Sequence, residues 1–352
     1  MGLRATVVPN RSVPASFVRE LWWALLLAMA PQAAVCQQAA TGDLTELSLE
    51  DLLNIKVTSV ARREQSVSQS PSAVYVITQE DIRRSGVTTL PDALRMAPGV
   101  QVAQMDANKW AVSIRGFHGR FAAKLLVMID GRSVYNAAFA GVYWEANDVL
   151  LEDVDRIEVI RGPGATLWGA NAVNGVINII TKHTRDTKGA MVSAGGGNQE
   201  GGFGSARLGG EIDPTLRYRF YSKYFSRSGS FLESGERAPD NWLKTQGGFR
   251  VDWEPSERDA LMFTGDVFEA DGGDRQSIPL LEPPYRTVAS YRASFSGANL
   301  LTRWTRKHSE SSTTQVQAYY DYSTRDDLFI RDNRSASPTS RSSTSAIFPG
   351  IA

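Results

Sequence analysis

The sequence predicts an α+β domain followed by antiparallel strands of the transmembrane β-barrel type. Three observations predict it. Between residue 72 and about 182, short apolar strands alternate with short helical stretches and Gly/Pro turns. After Lys182, a two-residue alternation is sustained over segments of ~10 residues or more, the pattern of barrel strands. The N-terminus reads as an export signal, and no later segment is long and apolar enough for a spanning helix of ~20 residues. Any membrane crossing therefore falls to strands in a closed barrel, because open sheet edges are not tolerated in lipid.

The N-terminal elements come first. Arg4, Arg11 and Arg19 precede the apolar run LWWALLLAMA at 21–30, and small residues follow in PQAAVCQQAA. Basic, apolar and small-residue regions in that order make a secretory signal, placed here at 1–38. Cys36 is the only cysteine, so an internal disulfide and a Cys-based metal site are excluded. Lipidation of Cys36 is the alternative, and Gln37 and the weak lipobox match of AAVC stand against it. Residues 39–71 follow as one region. It holds a small amphipathic helix from Ser48, an extended stretch IKVTSV at 55–60, and a Ser/Gln-rich tether at 61–72.

The α+β domain spans 72–186. SAVYVIT (72–78) is a strand, and QEDIRRSG (79–86) is a helix stopped by Gly86. TTLPDALRMAPG (88–99) is a second helix, with Thr89 as N-cap and Pro98-Gly99 as its stop. VQVAQ, WAVSIRGF (110–117) and AKLLVMIDGRSVYN (123–136) are strands, the last turning at Asp130-Gly131. In RIEVIRGPGATLWGANAVNGVINIIT (156–181), Ile157 and Val159 alternate with Arg156 and Glu158, which predicts a strand with one buried face. Pro163 and Gly164 turn the chain, 165–172 form a short helix, and 173–180 form a second strand. A phosphate cradle would need a Lys after the last glycine, or Gly-x-Gly-x-x-Gly opening a full helix; neither is present.

Residues 187–330 read as roughly seven barrel strands. In 216–225, Arg217, Arg219, Tyr221 and Lys223 share one face, and Tyr218, Phe220, Ser222 and Tyr224 the other. In 315–322, Val316, Ala318, Tyr320 and Tyr322 alternate with Gln315, Gln317, Tyr319 and Asp321. An aromatic outer face and a polar inner face fit an outer-membrane barrel better than a soluble sandwich. Residues 331–352 lose the alternation and turn Ser/Thr/Pro-rich, the pattern of a shifted reading frame or a disordered tail.

Four segments resemble those of TonB-dependent outer-membrane receptors: IKVTSV at 55–60, SIRGF at 113–117, MIDGRSVY at 128–135 and the long 156–182 stretch. The resemblance implies a plug domain seated in a barrel of ~22 strands. It implies active import of a scarce ligand, such as a ferric siderophore, cobalamin or carbohydrate, driven through an inner-membrane TonB-type coupling protein. It places the chain in the outer membrane, with outer-membrane lipid around its strands and the plug toward the periplasm. Seven strands do not close such a barrel, which needs roughly 450 residues after Lys182. The chain alone is therefore expected to be a truncated, non-transporting form. A periplasmic plug-like binding protein without transport is the alternative.

Candidate site residues follow. Ile55, Lys56, Val57, Thr58, Ser59 and Val60 form the stretch that resembles the TonB box, a partner site working by strand addition, or else simply a first strand. Arg115, Glu158 and Arg161 are either solvated strand charges or, as the resemblance implies, a latch between plug and barrel. The aromatic loop 135–147 is either self-packed or a ligand surface, with Tyr135, Asn136, Phe139, Tyr143 and Trp144 as contacts. Asn108 and Trp110 join them from a neighbouring loop. His118, His183 and His308 lack ligand spacing, so no metal or other cofactor is expected. No Ser-His-Asp set or paired carboxylates can be assigned to one cleft, so no enzyme is expected. Lys+Arg and Asp+Glu balance at 38 each, which argues against nucleic acid.

Overall fold

Thr78 ends the first strand of the α+β domain and starts its first helix. Its Oγ1 accepts from Asp81 N at 3.2 Å, and the Asp81 carboxylate accepts from Thr78 N at 2.8 Å. This capping box satisfies donors that a helix start leaves open. The computed structural model describes residues 72–326, except 117, 122–123, 137–139, 170 and 310–311. It also describes the backbone of 56–57, 65–66 and 333–346. All of these belong to one compact unit, Gly42–Ala352.

The short N-terminal strands are β1 (Lys56–Val57) and β2 (Gln65–Ser66), which pair antiparallel. β3 (Ala73–Thr78) leads into α1 (Gln79–Ser85), closed by Gly86 in the left-handed region at φ +68°. Thr89 caps α2 (Leu90–Ala93), which continues as a 3-10 turn over Leu94–Met96. β4 (Val100–Gln104) and β5 (Trp110–Ile114) pair as a hairpin. β6 (Leu125–Ile129) turns into β7 (Arg132–Ser133) through Asp130 and Gly131. Both turn residues have positive φ, +49° and +80°, as a type I′ turn requires of an Asp-Gly pair.

β8 (Val154–Arg161) and β9 (Gly175–Thr181) complete a sheet of order β3-β8-β9-β6-β7, in which only β6 and β9 run parallel. One expectation is corrected here. β8 has two buried faces, not one: Ile157 and Val159 are covered on one side, Glu158 and Ile160 on the other. The second face is closed by a separate apolar cluster of Leu126, Met128, Ile160, Ala172 and Val176, with Trp168 against it. Trp168 ends helix α3 (Ala165–Trp168), so the Gly-rich turn folds back as a lid on its own sheet. The turn is structural. Gly162 N and Gly164 N already donate to Asn174 O and Ala172 O at 3.1 and 2.8 Å. A side chain at Gly175 would meet Ile160 O at 2.6 Å, so the close approach of β8 and β9 requires glycine there.

After the 3-10 turn at Thr184–Thr187, eight antiparallel strands follow in sequential order. They are β10 (Gly189–Gly195), β11 (Gly202–Asp213), β12 (Leu216–Arg227), β13 (Trp242–Trp253), β14 (Asp259–Pro279), β15 (Arg286–Ser309), β16 (Ser312–Asp326) and β17 (Asn333–Ala346). The seven alternating segments are all strands. Two are about twice the expected length: β14 has 21 residues and β15 has 24. The tail expectation is also corrected, because the backbone of 333–346 pairs with β16 over its whole length. Ser and Thr need only extended backbone to add to an existing edge, and Pro338 falls where Pro is tolerated, on a strand with one neighbour among the described residues.

The two faces of this sheet differ sharply. Register rows place Leu216, Trp253, Leu261, Trp304 and Val316 side by side on the outer face. Successive outer rows hold Tyr218/Val251/Phe263, then Phe220/Phe249/Leu300/Tyr320, then Val267/Ala298/Tyr322. The next holds Tyr224 and Thr245 beside Glu269, the first charge in this series. From Trp253 to Gly247 the charge-free rows rise ~20 Å, or ~15 Å along a normal at ~40° tilt, within the ~25 Å height of a lipid-facing band. The inner face of β13 instead reads Trp242, Lys244, Gln246, Gly248, Arg250, Asp252. Those charges are buried because the α+β domain lies against them.

Candidate functional site

Ion pairs and hydrogen bonds join the α+β domain to the inner face, beside an apolar strip of Phe225, Trp242, Ala270 and Phe295 that packs into the domain's core. Asp153, just before β8, accepts Arg207 from β11 at 2.5 Å and lies 3.3 Å from Arg219 of β12. Arg132 of β7 pairs with Asp321 of β16, and Arg303 of β15 donates to the Asp130 carbonyl. Gln317 Nε2 donates to Gly131 O at 2.9 Å. The tight hairpin thus presents its backbone to the wall, which a wider loop would not do.

A second group of contacts holds segment 143–149. Lys223 pairs with Asp148 at 2.7 Å, Lys244 donates to the carbonyls of Glu145 and Ala146 at 3.1 Å, and Gln246 donates to Asp148 O at 3.0 Å. Burial works to raise the Asp148 carboxyl, but the Lys223 and Lys244 ammonium groups outweigh it and hold it below the ordinary carboxylate range. At the loop-bearing end of the sheet, the hairpin tip between β4 and β5 is gripped. Lys109 pairs with Asp106 at 2.7 Å and Asp274 at 3.0 Å; Asn108 Nδ2 donates to Gly273 O at 2.8 Å; Asp240 accepts Ala107 N at 3.0 Å. Burial pushes the Asp106 carboxyl up, and Lys109 offsets only part of that.

At the opposite end, Asp252 accepts Thr184 N and Oγ1 at 3.0 and 2.9 Å, and Arg250 at 3.0 Å. The connection out of the α+β domain is therefore pinned to β13. Charges buried this way need partners, and each here has one across the seam. The cavity lined by Asp130, Arg219, Tyr221 and Asp266 is small, with room for a few waters.

An α+β domain keyed by charges into the polar face of a strand sheet whose other face is an apolar band has matches among known proteins. A family model described as TonB-dependent Receptor Plug Domain matches residues 66–176. Residues 66–176 thus match the plug domain of TonB-dependent receptors, and the strands that follow share the fold of the barrels of such receptors. The plug is the α+β domain, and the eight strands are barrel wall.

Among curated relatives, a vitamin B12 transporter of Vibrio cholerae is 39% identical over 142 residues, 40% of this chain and 23% of the relative. The corresponding transporter of Photobacterium profundum is 32% identical over 213 residues, 58% of this chain and 30% of the relative. Each match spans under a third of the relative's length. Among solved structures, the ferripyoverdine receptor of Pseudomonas aeruginosa outer membrane superposes with a TM-score of 0.60 at 18% identity. That match covers 77% of this chain and 36% of the receptor. The ferric-catecholate import receptor Fiu of E. coli K12 gives 0.59 at 18%, over 79% and 45%. These structural matches share the fold.

The expected site residues are not all where the sequence suggested. Asn108, Trp110 and Trp144 are buried, which corrects their reading as ligand-facing groups. Trp110 stacks edge-on against Trp242 of the wall at 6.1 Å, and Trp144 joins the main core. Tyr135, Asn136 and Tyr143 are half-buried and stay within reach of solvent. Phe139 lies outside the described residues. Of the latch set, Glu158 is fully buried and accepts Arg156 at 2.9 Å, while Arg161 donates to Pro98 O at 3.2 Å. Arg115 sits at φ +57° beside Gly162. These named partners all lie within the plug.

Among the described residues, the charges that cross to the wall are Asp130, Arg132, Glu145, Asp148 and Asp153, with Lys109 at the tip. The Asp-Gly turn marked 130–133, but nothing in the sequence marked the others. Lys56 and Val57 pair with Ser66 and Gln65; Ile55, Thr58, Ser59 and Val60 lie outside the described residues. His118 meets Ser113 at 2.9 Å, His308 meets Thr314 at 2.9 Å, and His183 faces Asp252 and Glu254; the three share no site.

Proposed function

We propose that this plug and wall belong to an energy-coupled importer of the outer membrane, exported by the signal at 1–38. The importer would take a scarce small ligand of the cobalamin or metal-chelate type. The observation that carries the reading is the pairing of opposite faces. An outer band without charge, bordered by Trp253 and Trp304, fits lipid, and a charged inner face fits a plug that must later let go. Ion pairs suit that task better than apolar packing, since water entering the seam can replace them.

The eight described strands do not close around the plug, and transport is assigned to a closed barrel. The domain limits used are 39–71 for the partner-binding region and tether, 72–186 for the plug and 187–330 for wall, with β17 extending the wall. The ligand meets the plug at the loop-bearing end, near Tyr135, Asn136 and Tyr143. A TonB-type protein of the inner membrane pairs with the backbone of Ile55–Val60 by strand addition. Lys56 and Val57 would exchange their pairing with Ser66 and Gln65 for the partner's strand.

The test is proline substitution in that stretch. Val57→Pro or Thr58→Pro removes a backbone donor that strand addition uses. Ligand binding to cells stays at the wild-type level, and uptake sensitive to a protonophore is lost. Uptake unchanged in both variants refutes the coupling role.

A further inference from the structure

One register row of the inner face runs Arg207, Tyr221, Gly248, Asp266, Asn299, Asp321, on β11 to β16 in turn. Its two carboxylates stand two strands apart, so their backbones are separated by ~10 Å. They are used differently. Asp321 holds Arg132 of the plug, which is buried. Asp266 accepts from neutral donors, the Tyr221 hydroxyl and, at 3.4 Å, Asn299 Nδ2. Among the described residues Asp266 forms no ion pair. A side chain at Gly248 would collide with the Asp266 carboxylate, so glycine keeps room for it in the row. Arg132, Asp266 and Asn299 line the same small cavity, and the Arg132 charge acts on Asp266 across it.

We propose that Asp321 and Asp266 are two successive stations for the Arg132 guanidinium, with Asn299 between them, and that the β6–β7 hairpin slides along this row when the plug shifts. The physical reason is the cost of a stranded charge. With Asp321 as its single partner, Arg132 could not leave without a buried guanidinium losing its counter-charge. With two stations, one of the two carboxylates is unpaired in either position, so the exchange is nearly balanced. The long arginine side chain covers part of the distance by rotating about its own bonds, and a modest slide of the hairpin covers the rest. Tyr221 and Asn299 orient Asp266 and use only part of its acceptor capacity, which leaves oxygen lone pairs for the guanidinium. The neighbouring hairpin contacts, Arg303 to Asp130 O and Gln317 to Gly131 O, are hydrogen bonds to backbone that water can take over.

The displacement rests on the import reading, but the change of partner is tested at rest, without ligand or coupling protein, so failure of the proline test above leaves this outcome untouched. Amide hydrogen exchange of the full-length receptor in detergent reads opening of segment 130–135, and the amides of Ile157–Ile160 report that the plug is folded. Asp266→Asn leaves exchange within about three-fold of the wild type, since no cation is paired there at rest. Asp321→Asn raises it about five-fold or less, because Arg132 moves to Asp266. The double variant strands Arg132 and raises it about 100-fold, well beyond the product of the single effects. A double variant no worse than that product, or Asp266→Asn alone matching the double, overturns the proposal. Should the double variant not fold, the crystal structure of full-length Asp321→Asn decides. The guanidinium of Arg132 is expected against Asp266, and a guanidinium still at position 321, or anywhere else, overturns the proposal.

Discussion

Replacing Asp240 with alanine should release the outer tip of the plug from the wall. Asp240 is 2% exposed, and its carboxylate accepts Ala107 N at 3.0 Å, Ser230 N at 2.8 Å and Ser230 Oγ at 2.5 Å. Only the first bond crosses from the 228–241 loop to the plug. A hydrogen bond to a charged acceptor contributes about 1.5–3 kcal/mol, and losing it also strands a buried N–H. Neighbouring contacts survive, notably Asn108 to Gly273 O and Lys109 to Asp274, so the tip opens locally and the domain stays folded. The opening equilibrium at Ala107 therefore rises roughly 10- to 150-fold. Amide hydrogen exchange of the full-length receptor in detergent reads this directly. The 105–109 peptide exchanges faster by about that factor, whereas amides of Ile157–Ile160 at the sheet centre keep their protection. Asp240→Asn retains one acceptor oxygen and falls between. Unchanged exchange at Ala107 in Asp240→Ala, with the loop still folded, would refute the assignment of that carboxylate as the clamp.

Two further outcomes follow from burial. Trp144→Ala removes a core side chain and costs about 3–5 kcal/mol of plug stability, seen as a lower denaturation midpoint; a wild-type midpoint would return Trp144 to the ligand-facing reading. Burial holds the His183 imidazole below its ordinary value of 6.5, against the pull of Asp252 and Glu254. The unfolded chain therefore takes up the proton first, so stability declines as the pH falls below about 6.5. His183→Gln removes that part of the decline. A variant whose midpoint tracks the wild type from about pH 7.5 to about 5.5 would show that His183 contributes none of it.

Much of the local structure was legible because its causes are local. Thr78 and Asp81 form a capping box, Gly86 stops its helix, and Asp130-Gly131 makes a type I′ turn, each from residues within a few positions. The barrel faces were equally readable, since alternation in a strand assigns sides without knowledge of neighbours. Strand length was less so. β14 and β15 continue past the apolar band because each supplies the other's hydrogen bonds, and their polar outer ends do not advertise pairing. The same holds for β17, whose Ser/Thr composition resembles a tail until β16 offers it an edge.

What the sequence determined by itself was therefore the succession of elements and the two chemical faces of the wall. What only the tertiary structure decided was which charge meets which. Asp153 finds Arg207 and Arg219, Lys109 finds Asp274, and Glu145 gathers Arg120 and Arg325, across separations of 25 to 180 residues. No local pattern encodes such pairs, because a buried charge is specified by the partner that arrives, and the partner arrives only when the wall curves around the plug. The same closure moved Asn108, Trp110 and Trp144 from an expected open surface into the seam. Hydrophobic area and hydrogen-bonding groups are placed by what covers them, and that is a property of the assembled fold.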